Sequence, residues 1–176
     1  MNYHNIVHDD LLNGEGLRVT LFVSGCAHHC PACQNPQTWP PDSGIPFDQA
    51  ARDEIIEALS KPYISGLTLS GGDPFHPQNA SACVELAREV KLKFPHKTVW
   101  AYTGYRYEEI PPEYLWPVDV LCDGRYIRAL DSPELPWVGS SNQRVIDVPR
   151  SVREGHAVLF PTPRIASCAP GQERCP

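Results

Sequence analysis

Short β-branched runs alternate with segments whose apolar residues fall at helical spacing, and that alternation limits the possible folds more than any other feature of the chain. LRVTLFV, residues 17–23, reads as a strand that runs straight into a loop carrying three cysteines. In FDQAARDEIIEALSK, apolar residues at 47, 51, 55 and 59 lie along one face of a predicted helix over 47–61. GLTLS at 66–70 is a short strand ending on GGDP, and apolar positions 83, 86, 87, 90 and 94 predict a second helix over 79–94. KTVWAY at 97–102 and VDVLCD at 118–123 are two further strands, with a proline-interrupted helical piece, YEEIPPEYL, between them. The rhythm is βαβαβαβ, which implies mainly parallel strands joined by right-handed crossovers: an α/β fold, either layered or a partly closed barrel. Ligands of such folds gather at the C-terminal ends of the strands.

Beyond residue 124 the pattern weakens. NQRVIDV at 142–148 fits one more strand, and prolines at 133, 136, 149, 161, 163, 170 and 176 punctuate the remainder, so 161–176 is expected to be an irregular tail. At 176 residues the chain has the length of one domain, taken as 1–160, with no internal repeat and no linker composition. Its 41% hydrophobic and 20% charged residues are those of a soluble globular chain. No apolar run is long enough to cross a bilayer, so no membrane partner is expected. A formal charge of −6 with no run of Lys and Arg argues against nucleic acid as a partner. MNYHNIVHDDLLNGEGLRVT places Asp9, Asp10 and Glu15 where a secretory signal would carry positive charge and an apolar core, so a cytoplasmic location is expected.

A reducing compartment makes a disulfide framework a poor account of seven cysteines. Cys83 and Cys122 sit among apolar neighbours and read as small buried hydrophobes, while Cys168 and Cys175 fall in the tail and are assigned no role. The remaining three, Cys26, Cys30 and Cys33, are spaced C-x3-C-x2-C in SGCAHHCPACQNPQTW. A structural zinc site would need a fourth ligand, for which His28 or His29 could be nominated, but each would have to fold back onto a metal already held by its flanking cysteines. Both histidines therefore read as polar loop residues facing water or a ligand. An iron–sulfur cubane held by three thiolates is the other candidate; it would leave one iron open to a substrate, as catalytic metal sites do.

SGGDP at 70–74 follows a strand directly, and its paired glycines let the backbone turn sharply and approach a ligand. It could equally be a plain strand-to-helix turn, with Asp73 near the start of the next helix. Thr103-Gly104 and Asp123-Gly124-Arg125, at two other strand ends, carry the same pair of readings, ligand contact or turn.

With Cys26, Cys30, Cys33 and Gly71-Gly72-Asp73-Pro74 in place, the chain resembles the radical S-adenosylmethionine (SAM) enzymes. More closely, it is similar to the family of activating proteins of the anaerobic ribonucleoside-triphosphate reductase. That likeness is carried by MNYHNI, NGEGLRVTLFVSGC, CQNPQTW, LSGGDPFHPQN, AYTGY, DVLCDGRY and GSSNQRVIDV, over residues 1 to about 150. The resemblance implies a radical SAM domain over 1–160, built as a partial (βα) barrel. It implies one [4Fe-4S] cluster on Cys26, Cys30 and Cys33, and SAM chelated to the fourth iron by its amino and carboxylate groups. It implies Ser70, Gly71, Gly72 and Asp73 along the methionine portion, with Asp73 near the ammonium, and Ala32, Cys33 and Gln34 along the adenine. Ala32 stands where many radical SAM enzymes have an aromatic residue, and Asp73 where Glu is more usual. The implied activity is oxidoreductase chemistry: reductive cleavage of SAM to methionine and a 5'-deoxyadenosyl radical, which abstracts hydrogen from a glycine of the reductase large subunit. A flavodoxin-like electron donor is the implied second partner. Another small radical SAM enzyme, activating a different glycyl-radical enzyme or rearranging a small heterocycle, is the alternative.

Overall fold

The structure is a computed structural model and describes residues 1–161. Cys168, Cys175 and, apart from Pro161, the expected irregular tail lie outside the described residues.

The helical spacing read at 47–61 forms α1, Gln49–Ser60, with Ala51, Ile55, Ala58 and Leu59 buried. Asp48 caps it, accepting from the backbone N–H of Ala51 at 3.0 Å. It ends at Lys61 because Pro62 forces the preceding residue into extended backbone, φ −65° and ψ 131°. The second predicted helix is α2, Ala80–Lys93, which buries Cys83, Leu86, Ala87 and Val90 and stops at Phe94, just before Pro95. The proline-interrupted piece resolves into a 3-10 turn at Tyr107–Glu109 and one helical turn, α3, Pro112–Leu115.

The predicted strands appear as β2 (Arg18–Val23), β4 (Gly66–Gly71), β5 (Thr98–Tyr102) and β6 (Val120–Asp123). They are neighbours in that order and all parallel. Three elements extend the sheet beyond the parallel core. β1 (Asn2–Asp10) pairs antiparallel with β2, β3 (Ile45–Pro46) pairs with β1, and β7 (Arg144–Asp147) closes the other side antiparallel to β6. A final helix, α4 (Val148–Glu154), follows β7 directly. The result is a mixed α/β fold on a seven-stranded sheet of order β3-β1-β2-β4-β5-β6-β7, with β3 and β7 at its two edges.

Strand order advances in one direction through β2, β4, β5 and β6, so right-handed crossovers place the connecting helices on one face. Alternation along the strands divides the sheet accordingly. Val19, Leu21, Val23, Leu67, Leu69, Val99, Ala101 and Leu121 share the main core with the buried faces of α1, α2 and α3. The residues between them, Arg18, Thr20, Phe22, Thr68, Ser70, Trp100, Tyr102 and Cys122, form the other face. Around Trp100 and Cys122 a second cluster includes Val120, Val145, Trp137, Val138 and Phe160. Arg18 closes this face at its N-terminal end, fully buried and, among the described residues, without a carboxylate partner. Its five N–H groups donate to Thr68 Oγ1, the Glu15 carbonyl, Thr98 Oγ1, and the carbonyls of Leu67 and Thr98. Burial lowers its pKa to about 10, so it stays protonated at neutral pH.

Candidate functional site

The cysteine loop starts where β2 ends and is held by backbone bonds at both ends. Ser24 N–H donates to the Asn2 carbonyl, Gly25 N–H to Thr38 and Cys26 N–H to Trp39, at 2.7–3.0 Å. Cys26, Cys30 and Cys33 are free and partly exposed. Cys33 Sγ accepts the Asn35 N–H at 3.3 Å. Burial holds the Cys26 thiol above its ordinary range, an effect to which the Asp73 charge adds and which the backbone N–H groups of His28 and His29 oppose.

The SGGDP turn lies against this loop. Gly72 N–H donates to the Val23 carbonyl at 2.7 Å and Asp73 N–H to the Gly25 carbonyl at 2.8 Å. Glycine is required on steric grounds at both central positions. Gly71 has φ +97°, and a Cβ on Gly72 would sit 2.6 Å from the Gly25 oxygen. Asn79, 1% exposed, donates from Nδ2 to the carbonyls of Ser24 and Asp73 and so ties loop to turn.

Asp73 itself is turned inward. Its carboxylate, 1% exposed, accepts from Phe75 N–H, Thr103 Oγ1, Gly104 N–H and His28 Nε2, all between 2.8 and 3.0 Å. Four donors occupy its lone pairs, so the charge is spent on joining three strand-end segments. The surface that the turn offers to a ligand is Ser70, Gly71 and Gly72.

These segments surround a cavity of about 610 Å³ over the C-terminal end of the sheet's second face, a volume suited to a small-molecule ligand. Cys26, Cys30, Cys33 and Gln34 line it on one side, Ser70, Gly71, Gly72, Thr103 and Gly104 on another, with Phe22 and Tyr102 below. Tyr126, Leu135, Trp137, Gly139 and Gln143 line the far end. Among the lining residues, Trp39 Nε1, Tyr102 OH and His28 Nδ1 are buried without a hydrogen-bond partner among the described residues. Among the described residues no three His, Cys, Asp or Glu side chains converge as the shell of a single metal ion; the three thiols line the cavity instead.

Of the residues singled out in the sequence, the structure brings together the three cysteines, Gln34, Ser70, Gly71, Gly72, Thr103, Gly104 and Gly124. Ala32 is exposed, with left-handed φ +60°, and does not line the cavity. Asp123 is fully buried and accepts from Arg144 and from the Tyr107 N–H, which makes it a strand-end anchor, and Arg125 is not a lining residue.

Comparison with known proteins bears on what such a cavity serves. Residues 12–146 match the family described as 4Fe-4S single cluster domain. The chain is 45% identical over 150 residues to the anaerobic ribonucleoside-triphosphate reductase-activating protein of Escherichia coli K12, covering 82% of this chain and 97% of that protein. The namesake from Enterobacteria phage T4 is 47% identical over 146 residues, covering 82% and 93%. The chain belongs to the anaerobic ribonucleoside-triphosphate reductase-activating protein family. Its membership in a 4Fe-4S single cluster domain family supports an iron–sulfur cluster. The three free thiols fit one, being partly exposed, close in sequence and grouped on one cavity wall.

Reasoning from sequence missed several residues of this site. The histidines of the cysteine loop were expected to face water or a ligand; His29 is exposed and stacks on Trp39, but the His28 side chain is 5% exposed and bonded to Asp73. No periodicity marks Asn79, Trp39 or Tyr102. Gln143, which accepts from Gly139 N–H and Ser140 N–H and donates to the Gly124 carbonyl, shapes the far end from a position that the sequence places inside the strand expected at 142–148.

Proposed function

We propose that the chain is a radical SAM oxidoreductase that activates the large subunit of anaerobic ribonucleoside-triphosphate reductase by generating a glycyl radical on it. The observation that carries this is the convergence of three free thiols and a glycine-paired turn on one cavity, in a chain of this family. Cys26, Cys30 and Cys33 hold one [4Fe-4S] cluster. Ser70, Gly71 and Gly72 lie along the methionine portion of SAM, with Asp73 fixing the turn behind them. Cys33 and Gln34, next to Ala32, lie along the adenine.

When bound, a cluster on these thiolates would supply the reducing electron, received from a flavodoxin-like donor, for cleavage of SAM to methionine and a 5'-deoxyadenosyl radical able to take a hydrogen from the target glycine. The chain's own groups bind and enclose. Cys26, Cys30 and Cys33 would hold the cluster with three thiolates, one fewer than its four irons. The turn presents backbone instead of side chains, allowing close approach. Phe22, Tyr102 and Trp137 supply apolar walls, which favour retention of a reactive species over its loss to water. Burial and the neighbouring Cys122 push the Tyr102 phenol well above its ordinary range, so it stays protonated. On this reading the sheet is the partial (βα) barrel of the radical SAM type, residues 1–160 are its domain, and the protein works in the cytoplasm. No described helix is long and apolar enough to cross a membrane.

The test is anaerobic reconstitution with iron and sulfide, reduction, and incubation with SAM and the reductase. Methionine and 5'-deoxyadenosine should form, and a glycyl radical should appear on the reductase by electron paramagnetic resonance. Alanine at Cys26, Cys30 or Cys33 should abolish both. Deoxyadenosine without a protein radical would point to a different substrate; neither product would overturn the proposal.

A further inference from the structure

His28 lies between Cys26 and Cys30, inside the proposed cluster loop, yet its side chain belongs to a different part of the molecule. Nε2 stands 2.9 Å from Asp73 Oδ2, and both side chains are almost wholly buried, at 5% and 1% exposure. Because the carboxylate accepts, Nε2 carries the proton. The ring packs edge-on against Tyr105, with centroids 4.5 Å apart and planes at 73°. Its other flank abuts Gly104, where an added Cβ would lie 2.6 Å from His28 Cγ. Gly104 is thus a glycine because the imidazole occupies the space a side chain would take. Asp73, in turn, holds Thr103 and Gly104 at the end of β5 and Phe75 beyond the SGGDP turn.

We propose that His28 is a positioning residue: through Asp73 it fastens the middle of the cysteine loop to the ends of β4 and β5, and thereby sets where Cys26 and Cys30 stand. The loop between the first two cysteines, Ala27 to His29, contributes no side chain to the main core. Backbone bonds join the two ends of the loop to each other, Gly25 to Thr38 and Cys26 to Trp39. The imidazole ties the segment between those ends to Asp73. Groups that orient ligands from outside the coordination shell commonly change metal affinity by roughly 10- to 100-fold.

The inference rests on the three cysteines holding a cluster, and the test separates the two. Wild type, H28A, H28Q, G104A and the H28A/G104A double variant are reconstituted anaerobically. Iron and sulfide per chain, and the rate of iron release to a chelator, are then measured, with the thermal midpoint of each metal-free chain alongside. H28A should release iron roughly tenfold faster or more. H28Q, whose amide can donate to Asp73 from a similar reach, should recover most of that loss. G104A should mimic H28A by displacing the ring, and should add little in the H28A background, where the vacated space accepts the methyl. A merely structural role would lower the metal-free midpoint and make the two substitutions additive. Iron release from H28A at the wild-type rate, H28Q as leaky as H28A, or additive effects would overturn the proposal. If H28A fails to fold, G104A and H28Q still decide it. A wild-type chain that takes up no iron would overturn the proposed function as well, whereas a normal wild type with indifferent variants overturns this inference alone.

Discussion

At residue 72 the turn has no room for a side chain, since a methyl would push against the Gly25 oxygen and part the turn from the cysteine loop. Under the proposed function, G72A should therefore weaken SAM binding at least tenfold, measured by equilibrium dialysis on the reconstituted protein, roughly the effect of losing one well-made polar contact. Arg18 makes the opposite case, a charge whose removal strands others. R18M would leave the Thr68 hydroxyl and the carbonyls of Leu67 and Thr98 without their buried donor, and should cost about 3 kcal/mol in urea unfolding. The glycine pair is visible in the sequence because its chemistry is local: consecutive glycines after a strand announce a turn. The Arg18 anchor and the inward Asp73 are not visible, because both depend on partners at distant strand ends that only the parallel register brings within hydrogen-bonding reach.

Among the elements, α1 and α2 are legible because each buries one face at helical spacing and each is stopped by a proline that no fold can ignore. D48A removes the α1 cap and should cost about 1 kcal/mol by thermal or urea unfolding. The two helices are also joined by charge. Glu89 on α2 accepts from Lys93 and from Arg52 on α1, and these contacts, Lys93 first, hold its carboxyl below the ordinary 4.5. A carboxyl depressed in the folded state stabilises fully above its unfolded pKa and ceases to do so as pH falls through the folded value. The thermal midpoint of E89Q should consequently lie below wild type at neutral pH, and the gap should close below about pH 4.5. β1 left no trace in the sequence because only Ile6 and Asp10 of its nine residues are buried, so no alternation develops. β7 could be read as a strand from its β-branched residues, but its antiparallel direction follows from the segment 124–143, which returns across the second face instead of forming a helical crossover.

For the molecule as a whole, the alternation of elements foretold a parallel α/β core, and the four central strands have that arrangement. It did not foretell the antiparallel strands on either flank, since a pattern that reports connections says little about where non-crossover segments dock. Under the proposed function the cavity opens on a cluster with one iron not held by thiolate, which is open to oxidants. Hours in air should bleach the visible absorption of the reconstituted protein and abolish deoxyadenosine formation; activity unchanged by air would contradict it. The pairing of β1 with both β2 and β3 bears on how the chain assembles. Asn2 reaches Pro46, Tyr3 reaches Ile45 and Val23, and the Ser24 hydroxyl bonds to the Ser43 carbonyl. Every partner in that set emerges within the first 46 residues of synthesis, so the two ends of the cysteine loop can be joined by short-range contacts early. The glycine turn, the Asp73 anchor and the far wall must wait for later strands. Vectorial synthesis would then make a thiol-bearing hairpin first and the chamber around it second, leaving an interval in which iron could be delivered to an open loop.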